Sequence, residues 1–154
     1  MAQVIETIDV DVPVRTAYNQ WTQFESFPQF MEGVEQIEQL DDTHLRWQAK
    51  VAGRSKEWRA EITEQRPDER VAWRSEDGAD NAGAVTFHKL GDGQARVTVQ
   101  IDAEPDGPIE SAGEAIGLLK RRVKGDLERF KQFIERRGDD TGAWRGEVEQ
   151  DPAT

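Results

Sequence analysis

The chain has 154 residues, enough for one domain with a buried core, and carries a formal net charge of -11 with a pI near 4.7. That acidity speaks against nucleic acid or an anionic membrane as a partner, because both need a basic surface. With no cysteine, disulfides, thiolate metal sites and cysteine nucleophiles are excluded.

Leu, Ile, Val and Phe make up only about a fifth of the residues, yet they recur in regular patterns, which favours a folded chain. No window approaches the 18 or so apolar residues of a membrane span, so membrane insertion is not expected. The N-terminal Met-Ala-Gln-Val-Ile-Glu shows no basic stretch before an apolar run. A cytoplasmic location is the resulting expectation.

Val4, Glu6, Ile8 and Val10 alternate with Ile5, Thr7 and Asp9, which predicts a strand. Pro13 then suits a first helical position, with Val14, Ala17, Tyr18 and Trp21 on one side of a short helix. The run from Trp21 to Met31 holds three of the six phenylalanines, spaced every third residue, and Pro28 forbids one uninterrupted helix through it. Ser26 to Gln29 has capping-box spacing, so a second short helix is expected from Ser26 to Gly33. This apolar segment suits a wall or lid, with Phe27, Phe30 and Met31 as the lid and Trp21 and Phe24 as its anchor.

Strand patterns follow. Val34 to Leu40 breaks strict alternation and predicts a bulge. Leu45, Trp47, Ala49 and Val51 alternate with polar residues, as do Trp58, Ala60 and Ile62. Val71 and Trp73 come after the Arg66–Glu69 turn, Val85 and Phe87 precede a Gly91-Asp92-Gly93 hairpin, and Val97, Val99 and Ile101 close the set. One polar face per strand predicts a single antiparallel sheet covered on the other face.

Ser111 to Glu114 is another capping box, and a helix is predicted from there to about Arg137. Ile116, Leu119, Val123, Leu127, Phe130 and Ile134 form its buried stripe, with Lys and Arg residues on the rest as a solvated face. Residues 1–138 make up the expected domain. Residues 139–154 read as a flexible, acidic, Gly-rich tail bearing an exposed Trp144.

The layout, with Trp-x-x-Phe-Glu-x-Phe-Pro-x-Phe-Met at 21–31, Asp11-Val-Pro13, Trp58-x-Ala-x-Ile62, Val71-Ala-Trp73 and Gly91-Asp-Gly93, resembles the polyketide cyclase/dehydrase branch of the START and birch-pollen-allergen superfamily. The resemblance covers roughly residues 3–137. It implies an α+β helix-grip fold: a curved antiparallel sheet of about seven strands, two short helices, and one long C-terminal helix enclosing an apolar cavity. Members of that superfamily include lipid carriers, hormone receptors and ring cyclases, so the fold alone selects no activity.

His44 and His88 fall opposite the inward positions and are expected to face water. No metal-ligand spacing, serine-nucleophile turn or phosphate loop is present in the sequence, so no metal or cofactor is expected. The expected inward set of Trp47, Trp58, Trp73, Phe87, Val97, Val99, Leu119 and Val123 contains no acid/base pair. The large rings either fill the space between sheet and helix or line a cavity there; both readings stand. The ligand-contacting candidates are Phe27, Phe30, Met31, Trp47, Trp58, Trp73, Phe87, Leu119 and Val123. The expected function is binding or carriage of a small apolar or aromatic molecule by a monomer or weak homodimer. A cyclase/dehydrase enzyme and an interaction module using the tail are the alternatives.

Overall fold

Alternation of apolar and polar residues produces seven strands: β1 (Ala2–Val10), β2 (Val34–Gln39), β3 (His44–Val51), β4 (Arg54–Arg66), β5 (Arg70–Ser75), β6 (Asn81–Gly91) and β7 (Gln94–Ala103). In the computed structural model they run antiparallel in the spatial order β1-β7-β6-β5-β4-β3-β2 and curl as a half-barrel around a long C-terminal helix. The structure describes residues 2–31, 34–51, 54–76, 81–103, 109–137 and 148–149.

Register puts the apolar residues on one face. Ile62 pairs with Trp73, Trp73 with Gly83, Gly83 with Ile101, and Ile101 with Val4, which makes one continuous row across five strands. Val71, Val85 and Val99 form the adjacent row, and Phe87 pairs with Val97 beyond it. The expected bulge in β2 lies between Val34 and Gln36. β6 and β7 join through the two-residue Asp92–Gly93 turn, with Gly91 opposite Gln94. The Arg66–Glu69 turn holds Asp68 at φ 64°, a left-handed conformation that aspartate tolerates better than most residues.

The helices depart from expectation at their starts. Pro13 precedes α1 (Val14–Trp21) as its N-cap residue, and its carbonyl accepts from the Ala17 N–H at 3.1 Å. Asn19 and Gln20 are buried along with Ala17, Tyr18 and Trp21, so α1 is enclosed on more than one side. The second helix is a 3₁₀ helix over Phe24–Gln29, starting two residues before Ser26 and without a side-chain cap. A 3₁₀ helix has three residues per turn, which is the spacing of Phe24, Phe27 and Phe30. Gly33, its expected stop, lies outside the described residues. The long helix α2 (Ile109–Arg137) likewise begins before Ser111, so that serine is inside the helix and not at its cap.

Hydrogen bonds anchor the C-terminal part of α2. Lys131 Nζ donates to the Asp9 carbonyl at 3.0 Å, Glu135 accepts from the Asp11 N–H at 2.7 Å, and Arg129 Nε donates to the Phe30 carbonyl at 3.0 Å. Val123, Leu127, Phe130 and Ile134 are buried beneath it as a stripe. Phe130 packs on Trp21 and Phe30 with ring centroids 5.1 and 5.3 Å apart.

The expected tail is described only at Val148–Glu149. These two residues form β8, antiparallel to β4 at Gln65 and Glu64. β4 extends past the start of β3, and β8 pairs with that overhang, so these two residues are not free as expected of a mobile tail. Trp144 lies outside the described residues.

Candidate functional site

Between the concave face of the sheet and α2 lies a cavity of about 300 Å³. Its floor is built from the cross-strand rows. Leu45, Trp47 and Trp58 come from β3 and β4, Ile62, Val71 and Trp73 from β4 and β5, and Val85, Val99 and Ile101 from β6 and β7. Leu119, Val123 and Leu127 of α2 form the roof. Trp21, Phe24, Phe27, Met31 and Val34 close one end. Period-two alternation supplies the floor and the helical stripe supplies the roof, because each element turns its apolar side toward the other.

Seven of the nine residues singled out from sequence line this cavity: Phe27, Met31, Trp47, Trp58, Trp73, Leu119 and Val123. Phe30 and Phe87 do not. Phe30, 2% exposed, lies between Trp21, Phe130 and Phe133, where it joins the short-helix segment to the last turns of α2. Phe87 is shut behind α1, edge-on to Tyr18 with centroids 5.4 Å apart. Val97, expected inward, is fully buried in the same packed layer. Trp21 and Phe24, assigned to anchoring, line the cavity instead.

The wall residues that sequence reasoning passed over include Leu45, Ile62 and Leu127. Their signal was present, since they share a face with Trp47, Trp58 and Val123 by simple periodicity. Arg122 and Asp126 gave no such signal, because a charged helix face reads as solvated. They are the charged groups of the wall among the described residues. Arg122 is exposed, and its guanidinium makes a long 3.4 Å hydrogen bond to the Lys50 carbonyl, tying α2 to the end of β3. Asp126 is hydrogen-bonded by Arg129. The indole N–H groups of Trp21 and Trp47 are buried without a hydrogen-bond partner among the described residues, at a cost of about 1–3 kcal/mol each.

The outer face of the sheet holds a separate polar cluster. His44 Nδ1 lies 2.9 Å from Asp41, and its Nε2 lies 3.1 Å from Glu76 and 3.8 Å from Glu61. Donation to Asp41 is the main reason that the imidazole pKa is raised above its ordinary value. The Thr43 backbone N–H, and then His44, hold the Asp41 carboxyl at about 2. His44, Glu61 and Glu76 bring ligand atoms within 4.8 Å of one another, close enough for one divalent cation. Arg74, 3.9 Å from Glu61, competes for the same carboxylate. His44 does face outward, as alternation predicts, and so does His88.

The family model for polyketide cyclase / dehydrase and lipid transport matches residues 10–132. The chain belongs to that family. It is 59% identical over 149 residues to a 17.2 kDa protein of Streptomyces lincolnensis from the melC2-rnhH intergenic region, covering 96% of this chain and 99% of that one. Among solved structures it is similar to the Zhui aromatase/cyclase of Streptomyces sp. R1128, at 17% identity and TM-score 0.76, over 93% of this chain and 99% of that one. It also resembles a START superfamily protein of Mycobacterium smegmatis, at 15% identity and TM-score 0.67, over 88% and 95% of the two chains. At those identities the two structures speak for the helix-grip fold. No helix among the described residues is long and apolar enough to cross a membrane.

Proposed function

We propose that this family member binds and carries a small hydrophobic or aromatic molecule in the cavity beneath α2. The observation that carries this reading is the composition of the wall, where Arg122 and Asp126 are the charged residues among the described ones and the rest are aliphatic or aromatic. Burying apolar ligand surface contributes about 25 cal/mol per Å², so such a wall binds without a dense set of polar contacts. Its volume, about 300 Å³, sits at the small end of the range for small-molecule sites.

The family description also covers cyclases and dehydrases. Acid/base chemistry calls for polar groups that converge inside the site. Asp126 is the one carboxylate of the wall among the described residues, and it is already engaged by Arg129. Carriage is therefore favoured over catalysis. The net charge of -11 supports a protein that works apart from nucleic acid. The same reading has it act in the cytoplasm as a monomer or weak homodimer, with residues 1–138 as the binding domain and 139–154 appended.

Native mass spectrometry of the purified protein, with solvent extraction and titration by an apolar fluorescent probe, tests the proposal. A co-purified small molecule or saturable one-to-one binding is expected. No adduct and no saturable binding of any apolar probe would remove it.

A further inference from the structure

Trp73 and Gly83 face each other across the β5–β6 pair. A Cβ placed on Gly83 would stand 2.4 Å from Cζ2 of the Trp73 indole, 2.8 Å from Cε2 and 2.9 Å from Cη2. These are consecutive ring atoms at similar distances, so the glycine lies beneath the face of the ring and not beyond its edge. All three distances are far inside the ~3.5–4.0 Å at which carbon atoms rest in contact. The ring therefore occupies the space that any side chain at position 83 would need.

Trp73 is half-buried and belongs to the cavity wall. Gly83 takes up one face of the ring, so the opposite face and the ring edge are what Trp73 has left to offer the cavity. Ile62 of β4 and Ile101 of β7 flank the pair in the same cross-strand row, and both line the cavity. Also on the floor, Trp47 and Trp58 present a pair of parallel rings, with planes 5° apart. A residue larger than glycine at 83 would lift the Trp73 ring off the sheet, into a cavity of only about 300 Å³.

We propose that the Trp73–Gly83 bed makes this cavity selective for planar aromatic ligands, which stack on the free face of Trp73. The inference rests on the ligand-binding reading of the same cavity and names its ligand class. A flat guest meets a flat ring and gains the offset-stacking term in addition to area burial. A puckered or saturated guest of the same carbon skeleton gains burial alone.

The test is calorimetric titration with naphthol and with decalol, its fully saturated counterpart. The wild-type protein is expected to prefer naphthol by about tenfold. Gly83→Ala lifts the ring and brings the ratio close to one. Trp73→Leu keeps an apolar group but removes the ring face, and also brings the ratio close to one. Trp73→Phe keeps a ring and retains most of the preference. If Gly83→Ala does not fold, the two Trp73 variants decide the matter. Equal wild-type affinity for both probes, or an undiminished preference in Trp73→Leu, overturns the selectivity and leaves the cavity-binding reading standing. Wild-type protein that binds neither probe overturns both.

Discussion

The indole rings of Trp47 and Trp58 lie parallel across the β3–β4 pair, with planes 5° apart and centroids 6.0 Å apart. Neither ring is sealed in the core; both are half-buried and both line the cavity. Removing one should therefore affect binding more than folding. Trp58→Ala is expected to weaken binding of naphthol and decalol alike, by several-fold, through lost apolar contact, with a stability loss below the ~3–5 kcal/mol typical of a fully buried aromatic. Probe titration and urea unfolding of the same variant check both halves.

Phe30 shows the opposite behaviour. Its ring is 2% exposed, wedged among Trp21, Phe130 and Phe133, and absent from the cavity wall. Phe30→Ala is expected to cost about 3–5 kcal/mol in denaturant unfolding. A loss under about 1 kcal/mol would contradict its placement in a packed layer.

The His44 cluster predicts a pH dependence. Its imidazole is raised above the ordinary value of 6.5, first by donation to Asp41 and then by the charges of Asp41, Glu76 and Glu61, against a smaller opposing effect of burial. The stabilisation is fully present below the unfolded value and is lost as pH rises through the folded one. Wild type should therefore exceed His44→Gln in stability at pH 5, and the gap should close by about pH 9. Asp41, held at about 2, contributes stability above the unfolded carboxylate value that disappears as pH falls toward 2. Chemical denaturation of both proteins across that range reads the effect, which is small because the groups are solvated.

The β8–β4 pairing can be removed by ending the chain at Gly138. That truncation uncovers the β4 overhang at Glu64 and Gln65 and is expected to cost about 1–2 kcal/mol, the scale of one or two backbone hydrogen bonds. No residue of β8 lines the cavity, so probe affinity should be unchanged. A fall in affinity with no loss of stability would reverse this assignment.

Much of the architecture was legible because local patterns and tertiary burial agree. Leu45, Trp47, Trp58, Ile62 and Trp73 alternate with charged neighbours, and the same alternation turns them toward the cavity floor. Two features were not legible. Phe27 and Phe30 have identical spacing and chemistry, yet one faces the cavity and the other packs on α2, because that depends on where α2 crosses the 3₁₀ helix. The Val148–Glu149 strand carries no pattern of its own, since it exists only where β4 outruns β3.

Sequence alone determined the kinds of elements, their order, the covered face of the sheet and the apolar supply for a site beneath the last helix. Period two, period 3.6 and Gly-rich turns are local properties, so they need no knowledge of the fold. Tertiary structure decided whether the rings fill the space or wall a cavity, and brought Arg122 and Asp126 to its edge. It also laid Trp73 flat on Gly83. These outcomes depend on distances between residues remote in the chain, set by sheet curvature and helix placement, which no local periodicity encodes.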